Sequence, residues 1–493
     1  MKTIVFIEPR SPDDHIFSRY GLPRLGILIL GSILENAGYY VKAFVEDLAD
    51  IDLQEVLKAD LVGISTITST APRAYEIARL LKKRGKVVVM GGPHVTFLPD
   101  EALQACDFVL RGEAEESILP FMHALETGQD LGQVQGLSFR VGDKFFHNPP
   151  ASACLDLNRL PVPDFSLLKG KIHDIRPVLT SRGCPFDCSF CSVTKIFGRR
   201  YRFRSKESVL RELRGIESNQ LVFFYDDNFT ADRKRTKELL QMMIEEKITP
   251  RWTAQVRADA VQDEELLDLM QASNCHYVYI GIESVNPDTL KEFNKKLTLA
   301  QIEESISKFH DHDIRIHGMF VLGSDHDDIE TIRDTAKFAK KNRIDTVQFM
   351  ILTPLPGTQQ YQEFKEQNRL LTTDWSLYDA HHVVYQPKLM TPFELQVETL
   401  RAMRAFYSIW EIIKVALRFD FLAMILKSYG HRLQTRWQRR NRSYLKVIRQ
   451  ATASAGLRLD TAARKTADDI KERLRQITAK ESPEQPPARI KVK

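Results

Sequence analysis

The sequence predicts an α/β protein that has two parallel-sheet domains in tandem and a helical extension at its C-terminal end. Three observations predict this: two arrays of alternating strand-like and helix-like segments, a proline-rich break between them, and a basic, helical composition after them. The first array predicts a doubly wound, Rossmann-like parallel sheet, and the second predicts a partial (β/α)6 barrel. We expect domains at 1–140, 176–392 and 393–480, a linker at 141–175 and a disordered tail at 481–493.

Length and composition exclude several classes of protein. The chain has 493 residues, 43% hydrophobic and 27% charged, so it can bury more than one core and is neither wholly disordered nor fibrous. Six cysteines are too few for a disulfide framework in so long a chain. The N-terminal apolar run meets Pro9 after a few residues, which favours a strand over a signal peptide. We expect no membrane-spanning helix and a cytoplasmic enzyme.

The first array contains five apolar, β-branched strand segments. They are KTIVFIEP, YVKAFVE, ADLVGIST, KVVVMGG and DFVLRGE. The segments between them, LGILILGSILENAG, RAYEIARLLKKRG and DEALQAC, have the apolar spacing of amphipathic helices, and two of them end at a glycine. In a doubly wound sheet the ligand binds at the carboxyl ends of the strands.

The second array contains six strand segments. They are RPVLTS, LVFFYDD, RWTAQV, YVYIGIES, IRIHGMFVLG and DTVQFMILTP, separated by helical stretches such as SKESVLRELRGI, DRKRTKELLQMMIEEK and DEELLDLMQAS. Repeated strand-then-helix units with parallel connections favour a partial barrel. Its active site is expected at the C-terminal ends of the strands.

Three of the six cysteines lie within eight positions, directly after the first barrel strand. Cys184, Cys188 and Cys191 in SRGCPFDCSFCSVTKIFGRR fall in the loop at the barrel mouth, where we expect Arg182 to favour their thiolate forms. Three thiolates can ligate three irons of a [4Fe-4S] cluster and leave the fourth iron open. A structural zinc site needs four ligands, and no second pair of Cys or His residues at suitable spacing follows. An odd triplet in a reducing compartment is also a poor disulfide site.

The spacing Cys-x3-Cys-x2-Cys, with an aromatic residue before the third cysteine, resembles the signature of the radical S-adenosylmethionine (SAM) superfamily. GIES at 281–284 resembles the family's fourth-strand motif, whose acidic residue contacts the SAM ribose, and GMFVLG at 318–323 resembles its apolar fifth-strand segment near adenine. The resemblance implies that SAM binds the open iron and is cleaved to methionine and a 5′-deoxyadenosyl radical. The implied SAM-binding residues are Phe190, Gly281, Glu283, Ser284 and Val321.

The first domain resembles the N-terminal domain of cobalamin-binding radical SAM enzymes. Its loops STITST, GGPHVT and RGEAEE follow the third, fourth and fifth strands, and FYDDNFT and LTPLPGT in the barrel resemble motifs of the same subgroup. No G-x-G-x-x-G follows the first strand, so a dinucleotide site lacks its main signal. The resemblance implies cobalamin bound by Ser65, Thr66, Ser69, Gly91, Gly92 and Glu113.

One histidine approximates a known cobalt-ligand motif. Asp13-x-His15-x-x-Ser18 is close to the Asp-x-His-x-x-Gly of other cobalamin proteins, but the terminal glycine is missing. We therefore favour a surface or hinge histidine. The lower face of the cobalt is then open or bound by water, which suits methyl transfer.

The C-terminal region has an apolar stripe followed by a basic segment. The stripe residues at helical spacing are Phe406, Trp410, Ile413, Val415, Leu417, Phe421 and Ile425. Two interpretations stay open: a helix packed on the barrel with a solvated basic face, or an interfacial helix attracted to anionic lipid at the inner face of the membrane. No nucleic-acid-binding module accompanies the charge, so we expect no nucleic-acid partner.

Together the residues and the resemblance imply a cobalamin-dependent radical SAM enzyme that methylates an unactivated carbon of a small molecule or lipid. Alternatives on the same scaffold are cyclisation, C–C bond formation or sulfur insertion, and a second class is a non-catalytic cobalamin or Fe–S sensor. The resemblance also implies an electron donor such as flavodoxin or ferredoxin. Asp226, Asp227 and Arg257 are further active-site candidates at the barrel mouth. The sequence does not identify the substrate.

Overall fold

A computed structural model of the chain describes residues 2–11, 22–151, 153, 156–170, 175–217 and 219–454. The match at Asp13, His15 and Ser18 and the tail expected at 481–493 lie outside these residues.

The N-terminal part is an α/β unit built on a mostly parallel sheet, as predicted. Its strands are β1 (Thr3–Glu8), β2 (Tyr40–Val45), β3 (Leu61–Ser65), β4 (Val87–Gly91), β5 (Phe108–Leu110), β6 (Leu137–Val141), β7 (Lys144–His147) and β8 (Leu168–Lys169), in the spatial order β7-β6-β5-β4-β3-β1-β2-β8. Its helices are α1 (Leu25–Asn36), α2 (Leu53–Val56), α3 (Ala71–Lys83), α4 (Pro93–Phe97), α5 (Pro99–Ala102) and α6 (Ile118–Thr127). Five residues of β1 are buried in succession, because helices cover both faces of a parallel sheet.

Part of the stretch at 141–175 joins the N-terminal sheet. The β6–β7 hairpin adds two antiparallel strands beyond β5, and the short β8 pairs in parallel with β2. The side chains of β7 are exposed on both faces, so this edge strand lacks the apolar alternation by which a strand is recognised in sequence. The exact domain boundaries stay a prediction.

The second α/β unit is an open, six-stranded parallel barrel. Its strands are β9 (Ile175–Val178), β12 (Leu221–Phe224), β13 (Trp252–Val256), β14 (Cys275–Glu283), β15 (Arg315–Leu322) and β16 (Thr346–Ile351), and a separate two-stranded ribbon is made by β10 (Ser181–Arg182) and β11 (Arg202–Phe203). The helices are α7 (Val193–Phe197), α8 (Lys206–Arg214), α9 (Arg233–Glu245), α10 (Glu264–Ala272), α11 (Pro287–Glu292), α12 (Leu299–Asp311), α13 (Ile329–Lys341) and α14 (Gln359–Glu366). The barrel strands follow one another in sequence order, with β9 and β16 as the free edges, which confirms the predicted partial barrel.

Four helices follow the barrel. They are α15 (Pro392–Phe406), α16 (Ile409–Ala416), α17 (Phe421–Arg440) and α18 (Arg442–Ser454). Tyr407, between α15 and α16, is buried and donates its hydroxyl hydrogen to the carbonyl oxygen of Val347 in β16, at 2.6 Å. Within the described ranges, no helix combines the length and the apolar character needed to cross a bilayer.

The two α/β units meet along their strand ends. The indole nitrogen of Trp375, in the segment after α14, donates to the Glu101 carboxylate of the N-terminal unit at 2.9 Å. His94 packs edge-on against the same indole, with ring centroids 5.1 Å apart. On the same side of the molecule, residues at the carboxyl ends of β3 to β5 and residues of the barrel mouth line one cavity.

Candidate active site

The cysteine loop leaves the mouth of the barrel between β10 and α7. Cys184, Cys188 and Cys191 are each partly buried and have no disulfide partner. Burial raises the pKa of all three thiols, and that of Cys191 to about 12, while the nearby Lys295 ammonium opposes the rise at Cys188. Lys295 is thus a nearby cation that favours the thiolate form of Cys188, against the effect of burial.

The donor chemistry of this loop fits an iron–sulfur cluster. No three Cys, His, Asp or Glu side chains in the described part of the chain converge on a point where they could hold one metal ion. This finding does not count against a cluster, because each cysteine of a cluster binds a different iron.

Contacts from the last residue of α11 and the residue that follows it hold the cysteine loop in place. Phe190 packs edge-on against Phe293, with ring centroids 4.8 Å apart. The Ser189 hydroxyl donates to the carbonyl oxygen of Glu292 at 3.3 Å. The structure therefore places Phe190 in the cysteine loop against Phe293, a packing partner that the sequence did not indicate.

Arg257, a predicted active-site residue, braces the same loop from the end of β13. Its guanidinium lies over the ring of Phe186 at 3.8 Å from the centroid, between the first two cysteines. It also donates to the carbonyl oxygen of Lys295 at 2.9 Å. Arg182, which we expected to favour the thiolates, instead pairs with carboxylates of the other domain.

Glu283 has an unusual backbone at the end of β14. Its φ of 66° is in the left-handed region, next to an irregularity in the pairing of β14 with β15. Its buried carboxylate pairs with the Lys295 ammonium at 2.7 Å, and the same ammonium donates to the carbonyl oxygen of Gly281 at 3.1 Å. Backbone strain of this kind concentrates at functional sites.

The two remaining residues predicted to bind SAM lie on the same strand ends. The buried hydroxyl of Ser284 accepts a hydrogen bond from the backbone of Asn286 at 3.0 Å. Val321 is buried near the end of β15. The structure therefore brings all five predicted SAM residues to the barrel mouth.

A cavity of about 380 Å³ lies between the two domains, and its lining is mostly apolar. From the N-terminal domain it is lined by Ser65, Gly91, Gly92 and Glu113, which are four of the six predicted cobalamin-binding residues. Thr66 and Ser69 are buried and are not part of this lining. The Thr66 hydroxyl instead donates to the carbonyl oxygen of Gly91 at 3.0 Å.

Gly92 gives the cavity wall its shape. Its φ is 100°, and a Cβ atom at this position would lie 2.3 Å from the carbonyl oxygen of Thr66. Only glycine fits such an approach of two backbone segments. A smooth wall of backbone suits a large planar ligand.

Glu113 joins the two domains at the edge of the cavity. It accepts from Arg182 at 2.8 Å and from Arg202 at 2.9 Å, and both arginines belong to the β10–β11 ribbon of the barrel. Arg182 also pairs with Glu115 at 2.7 Å. Because all four side chains are almost completely buried, these ion pairs tie the loop after β5 to the base of the cysteine loop.

The adjacent acids after β12 lie in different surroundings. Asp226 accepts from the backbone and hydroxyl of Thr180, both at 3.2 Å, and from the Ser181 hydroxyl, so it braces the chain after β9. Burial raises its pKa to about 6. Asp227 lines the cavity, and burial together with the charge of Asp226 raises its pKa to about 7.

Residues 178–339 match the Radical SAM superfamily, and residues 18–119 match the B12 binding domain. An uncharacterized methyltransferase of Pyrococcus horikoshii is 34% identical over 83% of this chain and 92% of its own. The chain belongs to the radical SAM superfamily. It is an enzyme of the group with an N-terminal B12-binding domain, and its cofactors are SAM, a [4Fe-4S] cluster and cobalamin.

Two further comparisons agree with this membership. Bacteriochlorophyllide d C-12(1)-methyltransferase of Chlorobaculum tepidum is 31% identical over 84% of this chain and 89% of its own. The cobalamin-dependent radical SAM enzyme OxsB, solved with aqua-cobalamin bound, superposes with a TM-score of 0.65 at 14% identity, over 97% of this chain and 80% of that one. The second likeness shows the shared fold.

Two residues that contact or neighbour the predicted site residues were not predicted from the sequence. Lys295 follows α11 with no motif around it, and only the fold brings it to Glu283. Tyr225 lines the cavity beside Asp227. Burial raises its pKa to about 12. Its position directly before the two acids in FYDDNFT was the one available signal.

Proposed function

We propose that this radical SAM enzyme transfers a methyl group to a carbon atom of an apolar small molecule. The observation that carries the proposal is the shared cavity, whose walls include both the loops after β3 to β5 and the barrel residues Tyr225 and Asp227. Cobalamin on the wall of the N-terminal domain and a substrate on the barrel side, at Tyr225 and Asp227, would meet in this space. The methyltransferase names of the two relatives support the same chemistry.

Within this proposal Cys184, Cys188 and Cys191 ligate the cluster. The SAM site is formed by Phe190, Glu283 and their neighbours on β14 and β15. When bound, the cluster and SAM supply a 5′-deoxyadenosyl radical, and cobalamin carries the methyl group. The protein's proposed contribution is to orient these groups and to exclude water, and the contacts of Phe190 and Arg257 around the cysteine loop support this role.

On the cobalamin side, Ser65, Gly91 and Gly92 form the proposed contact surface. Their contribution is mainly backbone and one hydroxyl, which suits a bulky ring system that carries amide groups. Glu113 holds the domain interface closed through Arg182 and Arg202 rather than contacting the corrin directly.

The proposed substrate is apolar and contains fused or linked rings. The cavity lining is mostly apolar, and a relative is named for bacteriochlorophyllide d. We further propose a small electron-transfer protein of the flavodoxin or ferredoxin type as electron donor. For an apolar substrate we also propose peripheral contact of the C-terminal region with a membrane.

The test uses enzyme reconstituted anaerobically with its cluster and cobalamin, SAM deuterated in its methyl group, and bacteriochlorophyllide d as the first acceptor. Methylation predicts a product enriched in deuterium, with 5′-deoxyadenosine and S-adenosylhomocysteine in equal amounts. Cys188→Ala should form none of the three. Absence of 5′-deoxyadenosine under strong reductant would instead indicate a sensor.

Cyclisation is the second candidate reaction. An anaerobic magnesium-protoporphyrin IX monomethyl ester cyclase of Cereibacter sphaeroides is 28% identical over 82% of this chain and 70% of its own. In the same experiment with the monomethyl ester as substrate, cyclisation predicts 5′-deoxyadenosine without S-adenosylhomocysteine. That pattern would overturn methylation.

The proposed SAM site has its own test at Lys295. In Lys295→Met, Glu283 becomes a buried charge without its ammonium partner, so SAM affinity should fall by about 10-fold or more while cluster content stays normal. Lys296→Met, at the exposed neighbouring position, is the matched control. Unchanged SAM affinity in Lys295→Met would remove Glu283 and Lys295 from the site.

A further inference from the structure

An exposed apolar surface covers one end of the α16–α17 hairpin. Trp410, Leu417 and Phe419 are 74%, 75% and 80% exposed. We define the apolar tip by the seven exposed side chains Ile409, Trp410, Ile413, Leu417, Phe419, Phe421 and Ile425. They make up half of the exposed large hydrophobic side chains in the described part of the chain, although they span 17 positions. So dense an apolar surface indicates an interaction site.

The face of α17 that begins in the apolar tip becomes cationic further along. At 3.6 residues per turn, Phe421, Ile425, Arg432, Arg436 and Arg439 lie within about 60° of one another around the helix axis. The three arginines also line an open groove beside the helix. We call these three residues the arginine face.

The surrounding charge is strongly one-sided. Residues 409–453 contain ten Lys or Arg and two acids. Both acids have partners: Glu411 pairs with Lys414 at 2.8 Å, and Asp420 pairs with Arg315 at 2.9 Å. The surface therefore presents apolar side chains at one end and positive charge along its length.

We propose that the apolar tip and the arginine face dock this enzyme on a lipid bilayer that carries anionic phospholipid headgroups. The proposal rests on the membrane contact proposed above and names the surface that makes it. Large apolar and aromatic side chains enter the boundary between headgroups and acyl chains, while arginines pair with lipid phosphates. A second copy of the chain would instead bring two arginine faces together, which like charge disfavours.

The position of α17 lets the enzyme dock without blocking its cavity. Asp420, just before α17, accepts from Arg315 at the start of β15 at 2.9 Å, and the amide oxygen of Asn441, just after α17, accepts a hydrogen bond from His382 beyond β16 at 3.0 Å. The helix thus runs along β16, the free edge of the barrel sheet. The cavity is lined by residues of the other domain and of β9 to β12, so a docked hairpin leaves it uncovered.

Trp410 is a built-in reporter for this proposal. The chain has four tryptophans, and the other three, Trp252, Trp375 and Trp437, are buried. Full-length enzyme should show a blue shift of tryptophan emission with vesicles of phosphatidylglycerol and phosphatidylcholine, but not with phosphatidylcholine alone. Trp410→Phe should abolish the shift and keep co-sedimentation with the vesicles.

Two groups of variants separate the apolar and the charged contributions. The triple variant Leu417→Ser, Phe419→Ser, Phe421→Ser and the double variant Arg432→Gln, Arg439→Gln should each lower the vesicle partition coefficient about tenfold or more. All five positions are exposed, so folding should be unaffected. The matched control is Tyr40→Ser, Val141→Ser, which removes exposed apolar side chains elsewhere and should bind vesicles normally.

Three results would overturn the proposal. They are binding to neutral vesicles as strong as to anionic ones, absence of binding to either, and a Trp410 emission that is already shielded in the free enzyme. The last result would mean that another segment or a second copy covers the tip. Formation of 5′-deoxyadenosine, measured without vesicles, tests the proposed function separately, since docking does not require SAM cleavage.

Discussion

The cysteine loop and the loops proposed to face cobalamin lie at the same end of the barrel, but they are built in different ways. The cysteine loop depends on side chains, both for its three donors and for the packing of Phe190 and Arg257 around it. The wall formed by the loops after β3 and β4 depends on backbone, because Gly92 lies against the main chain of Thr66. Removing a side chain should therefore damage the first region, and adding one should damage the second.

The largest effect is expected for the cysteine loop itself. Cys188→Ala removes one of the three proposed cluster ligands, so the iron content should fall to near zero and 5′-deoxyadenosine formation should fall by at least about 1,000-fold. Cys275→Ala, a buried cysteine in β14 outside the loop, is the control and should retain the cluster. Iron and sulfide analysis with electron paramagnetic resonance checks both variants. A normal cluster signal in Cys188→Ala would refute the ligand assignment.

Glu113 connects the two regions through its ion pairs with Arg182 and Arg202, and the second prediction tests these ion pairs. Glu113→Gln leaves Arg182 and Arg202 buried with one carboxylate fewer, which should cost about 3 kcal/mol of unfolding free energy. Glu116→Gln is the control, since its contact with Arg159 at 3.6 Å is exposed and worth less than about 1 kcal/mol. Denaturant titration measures both, and equal losses would contradict a buried interdomain tie.

Sequence reasoning makes its most specific predictions where the residues of a site are close together in the sequence. Three cysteines within eight positions predict a cluster without any knowledge of the fold around them. GIES likewise predicts a position for Glu283 at the barrel mouth, because its four residues are consecutive. Contacts between residues that only folding brings together could not be predicted from the sequence. The ion pair between Lys295 and Glu283 is an example. Adjacent acids illustrate the limit further, because Asp226 braces the chain while Asp227 faces the cavity.

The cavity wall formed by the loops after β3 and β4 should be disrupted when a side chain is added to it. Gly92→Ala places a Cβ against Thr66 at a φ of 100°, so we expect a loss of about 2 kcal/mol in stability and at least about tenfold weaker cobalamin binding. Gly38→Ala is the matched control, since its φ is 90° but nothing lies within 4 Å of the added Cβ. Corrin absorbance after gel filtration reports binding. Equal cobalamin retention in both variants would show that the wall is not the binding surface.

The burial of Asp226 predicts that the stability of the folded protein depends on pH. Burial raises its pKa to about 6 in the folded state, so the folded protein binds more protons than the unfolded chain between pH 4 and 6, and stability falls as the pH rises through that range. Asp226→Asn removes this ionisation, so the variant should gain up to about 3 kcal/mol relative to wild type between pH 4 and 7. Asp143→Asn, at an exposed position, should show no such trend. Parallel unfolding curves for wild type and Asp226→Asn at all pH values would contradict the burial.

The smallest effect is expected for the neighbouring hydroxyls of Ser65 and Thr66, which have different roles in the loop after β3. One lines the cavity, and the other bonds the main chain. Thr66→Val removes one buried hydrogen bond to the carbonyl oxygen of Gly91, which should cost about 1 kcal/mol of stability. Cobalamin affinity should change little, because the side chain of Thr66 is turned away from the cavity, whereas Ser65→Ala removes a hydroxyl from the cavity wall and should weaken binding. Comparing the two variants by equilibrium binding of cobalamin tests whether this wall acts through its backbone. If Thr66→Val weakens binding more than Ser65→Ala does, the hydrogen bond that shapes the main chain matters more than the hydroxyl that faces the ligand.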